Sequence, residues 1–251
     1  MSTKKENIDI WNDTKKRFHE SKHELSDFPQ SIVYDKLNLT PFPQYSSTIV
    51  NVMDMDTLTC CQLYKKMGYN VMGLNMAHPS HPGGGVGTGC FAQEENCFRR
   101  SYYFAVLPKT LYPIPETGCI YSPKVTVIKD NKYNLLQQPF TVAMVACAAL
   151  RNPKINGLGR YCNEEDKKLM KYKIEQIFQV GYKHNHEVLV LGALGCGCFS
   201  NPPEVVAELF NEVIEKYKGC FKIIIFAVMS HNDNNFLVFD KIINKFSYFI
   251  N

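Results

Sequence analysis

The stretch from Asn75 to Glu95 concentrates the residues of this chain that could do chemistry. Gly83, Gly84 and Gly85 follow one another, with Gly87 and Gly89 close behind, and the stretch closes on Gln93-Glu94-Glu95. Consecutive glycines remove side chains where a ligand or another backbone must come close. Their N–H groups can cradle an anion. Glu94 and Glu95 are neighbours, so on a helix their side chains diverge by about 100° and cannot flank one bond as paired glycosidase carboxylates do. They should hold different roles, one orienting a sugar hydroxyl and the other moving protons at a scissile oxygen. Alone, Gly-Gly-Gly fits a surface loop and Glu-Glu a solvated helix start; together, after an apolar strand, they point to a site.

A second cluster, Gly192-Ala-Leu-Gly195-Cys196-Gly197-Cys198-Phe199, joins an apolar run to a helix beginning near Pro203. Strand, glycine turn and helix N-terminus is a phosphate-binding arrangement. It has no Gly-Lys-Ser/Thr and lacks the third glycine of the dinucleotide fingerprint, which argues against ordinary kinase and dehydrogenase chemistry. Neither glycine loop contains Lys or Arg, so a diphosphate would be gripped by backbone rather than by charge. His78 and His81 read His-x-x-His without further ligands at zinc spacing, and Cys196 and Cys198 are one residue apart, so no metal is expected. Asp54 and Asp56 end a strand; Asp56 either caps the next helix or accepts a hydrogen bond from an adenine amino group.

Alternating elements must position these loops. Strands are predicted at 48–53, 70–75, 124–128, 140–146, 187–191 and 221–229, and helices at 57–67, 92–102, 164–180, 203–218 and 234–244. Val188-Leu-Val-Leu191 and Ile223-Ile-Ile-Phe-Ala-Val228 are continuously apolar, as strands covered on both faces tend to be. The expectation is a three-layer α/β/α domain with a mixed sheet. Residues 1–45 are rich in charge and sparse in apolar residues (Ile10, Trp11, Phe18, Leu25); they predict a solvent-washed helix over 13–25 and a proline-punctuated connector, an extension ahead of a catalytic domain at 46–251.

Composition bounds the rest. A hydrophobic fraction of 45% against 21% charged residues supports a sizeable core. The longest charge-free runs fall short of the roughly 20 apolar residues that span a bilayer. A net charge of +4 is too small to indicate a nucleic-acid or membrane surface, so neither is an expected partner. Ten cysteines are too few for a disulfide scaffold at this length, and the N-terminus has no apolar signal segment. An intracellular, reducing location follows, cytoplasmic or nuclear.

The Gly83-Gly-Gly85…Gln93-Glu-Glu95 arrangement resembles the signature of poly(ADP-ribose) glycohydrolases of the compact microbial type, built on a macrodomain. Asp56-Thr-Leu, Asn75, Tyr121-Ser-Pro and Leu191-Gly-Ala-Leu-Gly-Cys-Gly-Cys-Phe199-Ser-Asn-Pro agree in order, so the similarity runs from about Ile49 to Phe239. The resemblance implies an ADP-ribose cleft at the carboxyl ends of the strands, with no metal and no cofactor. Asp56 would hold the adenine amino group. Gly83, Gly84, Gly85 and Val86, with Gly192, Gly195, Cys196, Gly197 and Cys198, would wrap the diphosphate. Phe199 would pack on the distal ribose, Asn75 would bond it, Gln93 would join the substrate site, Glu94 would bond the neighbouring ribose, and Glu95 would be the general acid. Two departures, His81 where the family usually has Asn and Leu194 where an aromatic residue is common, would bear on affinity and chain-length preference. The implied activity is exo-acting release of ADP-ribose from poly(ADP-ribose). Removal of single ADP-ribose units from a modified protein or nucleic acid, or non-catalytic reading of ADP-ribose, would use the same cleft.

Overall fold

A computed structural model describes residues 2–21, 29–230 and 234–243. The elements in chain order are α1 (Lys4–Ser21), β1 (Ile32–Tyr34), β2 (Ile49–Met53), α2 (Thr57–Lys66), β3 (Val71–Met76), α3 (Gln93–Arg100), α4 (Tyr103–Val106), β4 (Cys119–Lys129), β5 (Leu135–Cys147), α5 (Glu164–Lys183), β6 (Val188–Leu191), α6 (Pro203–Lys216), β7 (Ile223–Ala227) and α7 (Asn235–Ile243). One seven-stranded sheet has the order β1-β4-β5-β3-β6-β7-β2. From β5 to β2 neighbouring strands are parallel, while β4 runs antiparallel to both β1 and β5. The sheet is mixed and has helices on both faces, as expected.

The period of two along each strand divides the apolar runs between two cores. Met72, Leu74, Leu189, Leu191, Ile224 and Phe226 face α5, α6 and α7. Val71, Val188, Val190, Ile223 and Ile225 face the opposite side, with Leu58 of α2 and Phe98 of α3. Gly73 sits where the second layer comes closest: a Cβ there would lie 2.7 Å from Met144 Sδ and 2.9 Å from Cys61 Sγ. No helix among the described residues is long and apolar enough to cross a membrane.

Two differences from the expected organisation concern the N-terminal region. The helix begins at Lys4, not at residue 13, and ends at Ser21; Leu25 lies outside the described residues, as do Asn232 and Asn244. Its buried stripe is Asn7, Trp11, Thr14 and Phe18, at i, i+4, i+7 and i+11, so half of it is polar. That is why counting apolar residues misses it. Beyond α1, residues 32–34 pair with 119–121 as the sheet's edge strand, ahead of the boundary expected at 45. The hairpin strands β4 and β5 also run well past the expected 124–128 and 140–146: the first residues of β5 are largely exposed and carry no continuous apolar signal, while the added start of β4, Cys119–Ser122, is buried and ends on Ser122-Pro123.

Candidate active site

All five parallel strands end on the same side, and the loops that follow them form the site. The loop after β3 runs from Ala77 to Ala92 and ends at the N-terminus of α3, so Glu94 and Glu95 occupy the first helical turn. Negative charge is favoured there by the free N–H groups and the helix dipole. Gln93 fixes this terminus to the strand: its Oε1 accepts from Met76 N–H at 2.9 Å, and its Nε2 donates to Leu74 O at 2.7 Å and to Thr57 Oγ1 at 3.0 Å. With these bonds made, Gln93, expected in the substrate site, clamps β3, α2 and α3 together.

The glycine loop closes over the two carboxylates. Glu94 is buried, and its Oε1 accepts from Gly83 N–H at 3.0 Å and Asn75 Nδ2 at 3.3 Å while its Oε2 accepts from His78 N–H at 2.7 Å. Burial pushes its pKa from 4.5 up to about 8, against the lowering effect of those three donors. Glu95 accepts from Gly85 N–H at 2.9 Å through Oε1. Its Oε2 is buried and has no partner among the described residues. Gly84 passes between the two: with φ at +52°, a Cβ there would lie 2.6 Å from Glu95 Oε1 and 3.1 Å from Glu94 Oε2. The helix separates the two side chains, and the loop threaded between them makes them one unit.

Gly83, Gly84 and Gly85, expected to wrap a diphosphate, direct their N–H groups to Glu94, His81 O and Glu95 in turn, so two of the three meet carboxylates. Val86 N–H bonds Gly83 O and its side chain is buried in the core. Glu94, expected to bond a ribose, has both oxygens engaged by the protein. Asn75, expected on the distal ribose, is fully buried against Glu94, and its Oδ1 has no donor among the described residues.

The loop after β6 bonds some of its N–H groups internally, Cys196 N–H to Ala193 O among them, and leaves others open. No acceptor among the described residues meets those of Gly195, Gly197 or Cys198. Gly195 has φ at +74° and is wedged against Ala149 and Asn201. Asn201, to which the sequence assigns no role, shapes this turn: its Nδ2 donates to Leu150 O at 2.7 Å and Gly195 O at 3.1 Å, and its Oδ1 accepts from Tyr161 at 2.9 Å. Gly192 directly follows β6, and Cys196 Sγ donates to Leu194 O at 3.6 Å. Phe199 is half-buried, its ring 6.4 Å from that of His78, so the two loops face each other. Leu194 is fully buried in the core and does not border the cleft; His81 is exposed, its Nδ1 3.4 Å from that of His78. Burial, with His81 and Arg151 nearby, lowers the His78 pKa. No group of three or more His, Cys, Asp or Glu among the described residues is placed to hold a metal ion.

Beyond the ends of β2 and β7 lies a cavity of about 560 Å³, lined by Asp54, Met55, Asp56, Phe91, Tyr133 and Met229. Of the two roles open to Asp56, the structure shows the cap: it accepts from Thr59 N–H at 2.9 Å and Thr59 Oγ1 at 2.6 Å, and pairs with the buried Arg100 of α3. Arg100 in turn donates to Asn96 Oδ1 at 3.1 Å and Lys129 O at 3.2 Å, tying α3 to α2 and β4.

A seven-stranded mixed sheet between helical layers, with its cleft at the carboxyl ends of the parallel strands, is a macrodomain-like fold. The family described as microbial-type PARG, catalytic domain, matches residues 2–130, a span that includes α1, the glycine loop and both glutamates. The chain belongs to that family. Among solved structures, poly(ADP-ribose) glycohydrolase from Thermomonospora curvata bound to the inhibitor ADP-HPD is 24% identical, with a TM-score of 0.81 over 94% of this chain and 98% of that one. Another structure of the Thermomonospora curvata protein is 25% identical over the same shares, with a TM-score of 0.76. Poly(ADP-ribose) glycohydrolase from Deinococcus radiodurans in complex with ADP-ribose is 26% identical, with a TM-score of 0.68 over 79% of this chain and 85% of that one. A comparison with curated proteins gives no significant match.

Proposed function

We propose that this protein hydrolyses the ribose–ribose O-glycosidic bonds of poly(ADP-ribose), releasing ADP-ribose, with Glu95 as general acid and base. The observation that carries the assignment of Glu95 is the unequal use of the two carboxylates. Glu94 is held by three N–H donors, whereas Glu95 keeps one buried oxygen without a partner among the described residues. A buried acceptor left without a donor costs about 1–3 kcal/mol. A proton, or a substrate hydroxyl, removes that cost.

In this mechanism Glu95 Oε2 gives its proton to the glycosidic oxygen as the bond to the anomeric carbon breaks. The distal ribose becomes an oxocarbenium ion; water adds to the anomeric carbon and returns a proton to Glu95. Glu94 holds Gly83 and His78 in place, which keeps the loop around Glu95. The open N–H groups of Gly195, Gly197 and Cys198 take the diphosphate, Phe199 borders the distal ribose, and the adenosine end extends into the cavity beside Asp54 and Asp56. No disulfide joins cysteines among the described residues, which suits a reducing cytoplasmic location.

Product analysis tests the substrate class. Purified poly(ADP-ribose) and a mono-ADP-ribosylated protein are offered separately, and released ADP-ribose is measured. Rapid release from the polymer is expected; release from the mono-modified substrate alone would replace this reading with that of a mono-ADP-ribosyl hydrolase, and binding without release from either would make the protein a reader.

A further inference from the structure

We infer that the N-terminal helix α1 is a working part of the active site, positioning Glu95 through Arg99. The inference builds on the assignment of Glu95 above. Arg99, on α3, is fully buried, and no carboxylate among the described residues pairs with it. A buried guanidinium without a counter-charge is costly unless its N–H groups meet fixed acceptors. Two carbonyls meet it at two of its three nitrogens, Nη1 having no partner among the described residues: Nε donates to Asn7 O of α1 at 3.1 Å, and Nη2 donates to Cys90 O of the glycine loop. Arg99 thus fixes α1 and the loop in one geometry, as a planar, forked donor can and a single ammonium cannot.

From Cys90 the connection reaches the proposed acid in two further bonds. Cys90 N–H donates to Gly85 O at 3.2 Å, and Gly85 N–H donates to Glu95 Oε1 at 2.9 Å. A second tie reinforces the first, because Asn7 Nδ2 donates to Gly89 O at 3.2 Å. Gly89 accommodates the approach: its φ is +79°, and any Cβ would run into Lys4 O. The helix is itself anchored away from the loop. Thr14 Oγ1 donates to Arg99 O at 2.5 Å, Lys129 Nζ bonds Ile10 O at 3.1 Å and Asp13 at 2.8 Å, and Phe18 packs on Tyr102 and Phe104. The polar half of the α1 stripe therefore faces the glycine loop and α3, and the aromatic Phe18 serves attachment.

The test uses three variants of the full chain: Arg99→Lys, Asn7→Ala and Phe18→Leu. For each, kcat and KM on poly(ADP-ribose), the melting temperature and the hydrogen-exchange rates of the loop amides from Gly83 to Cys90 are measured. Arg99→Lys and Asn7→Ala should lower kcat about tenfold with little change in KM, and speed loop exchange by a similar factor, the scale of one hydrogen bond. Phe18→Leu should lower the melting temperature without changing kcat or loop exchange. If Phe18→Leu lowers kcat as much as the other two at an equal loss of melting temperature, α1 is only structural. Unchanged kcat and exchange in Asn7→Ala would also overturn the inference, and that variant carries the test if Arg99→Lys does not fold. Loop exchange is read without substrate, so a wild-type chain inert on the polymer would sink the functional reading and leave this one still decided.

Discussion

Replacing Glu94 with Gln should remove a pH dependence of stability that the buried carboxyl imposes. In the folded chain Glu94 holds its proton to about pH 8, while in the unfolded chain it releases it near 4.5. Between those values the folded state binds the extra proton, so this contribution is fully present below about pH 4.5 and is lost as pH rises through 8. The rise from 4.5 to about 8 corresponds to roughly 5 kcal/mol as an upper bound, since each pH unit is about 1.4 kcal/mol. Gln also places an amide N–H against the His78 N–H, a mismatch costing about 1–3 kcal/mol that does not vary with pH. The two effects therefore separate by titration. Urea unfolding at intervals from pH 5 to 9 should show wild type the more stable at pH 5, with the difference shrinking or reversing by pH 9. Parallel curves across that range would refute the claim that Glu94 keeps its proton, and with it the view that Glu95 works beside an uncharged neighbour at neutral pH.

Other outcomes follow from the same geometry. Gly84→Ala puts a methyl between the two carboxylates at a positive φ, so steady-state assays should show polymer hydrolysis falling at least tenfold, with a stability loss of about 1–2 kcal/mol. Asp56→Ala removes a cap and strands the buried Arg100, so calorimetric unfolding should show a loss of about 3–5 kcal/mol; unchanged stability with weakened ADP-ribose binding would make Asp56 the adenine contact instead. Gly195→Ala drives a Cβ into Ala149 and Asn201, and isothermal titration should show ADP-ribose affinity reduced about tenfold or more together with a lower melting temperature.

The sheet was legible because strands covered on both faces are apolar at every position, and runs such as 188–191 and 223–227 allow little else. Edge strand β1 has three residues and leaves no such run. Helix α1 begins earlier in the chain than its apolar residues suggest because Asn7 and Thr14, half of its buried stripe, are polar. The glycine loop and the glutamate pair were visible as neighbours in the sequence. Their partners were not, since an N–H can serve a phosphate or a carboxylate equally, and only the fold of the loop onto the first turn of α3 decides that Gly83 and Gly85 serve Glu94 and Glu95. The tasks of Asn201 and Arg99 are invisible in the sequence because each acts through backbone carbonyls, which no residue type marks.

The central claim, that Glu95 moves the proton at the scissile oxygen, is tested most directly by Glu95→Gln. Gln keeps the shape and can still accept from Gly85 N–H, but it can neither give nor take the proton. Single-turnover hydrolysis of poly(ADP-ribose) should fall by about 10²–10⁴, the usual contribution of a positioned acid, while calorimetric affinity for ADP-ribose changes little. A Glu95→Gln variant that turns over polymer at close to the wild-type rate would contradict the account.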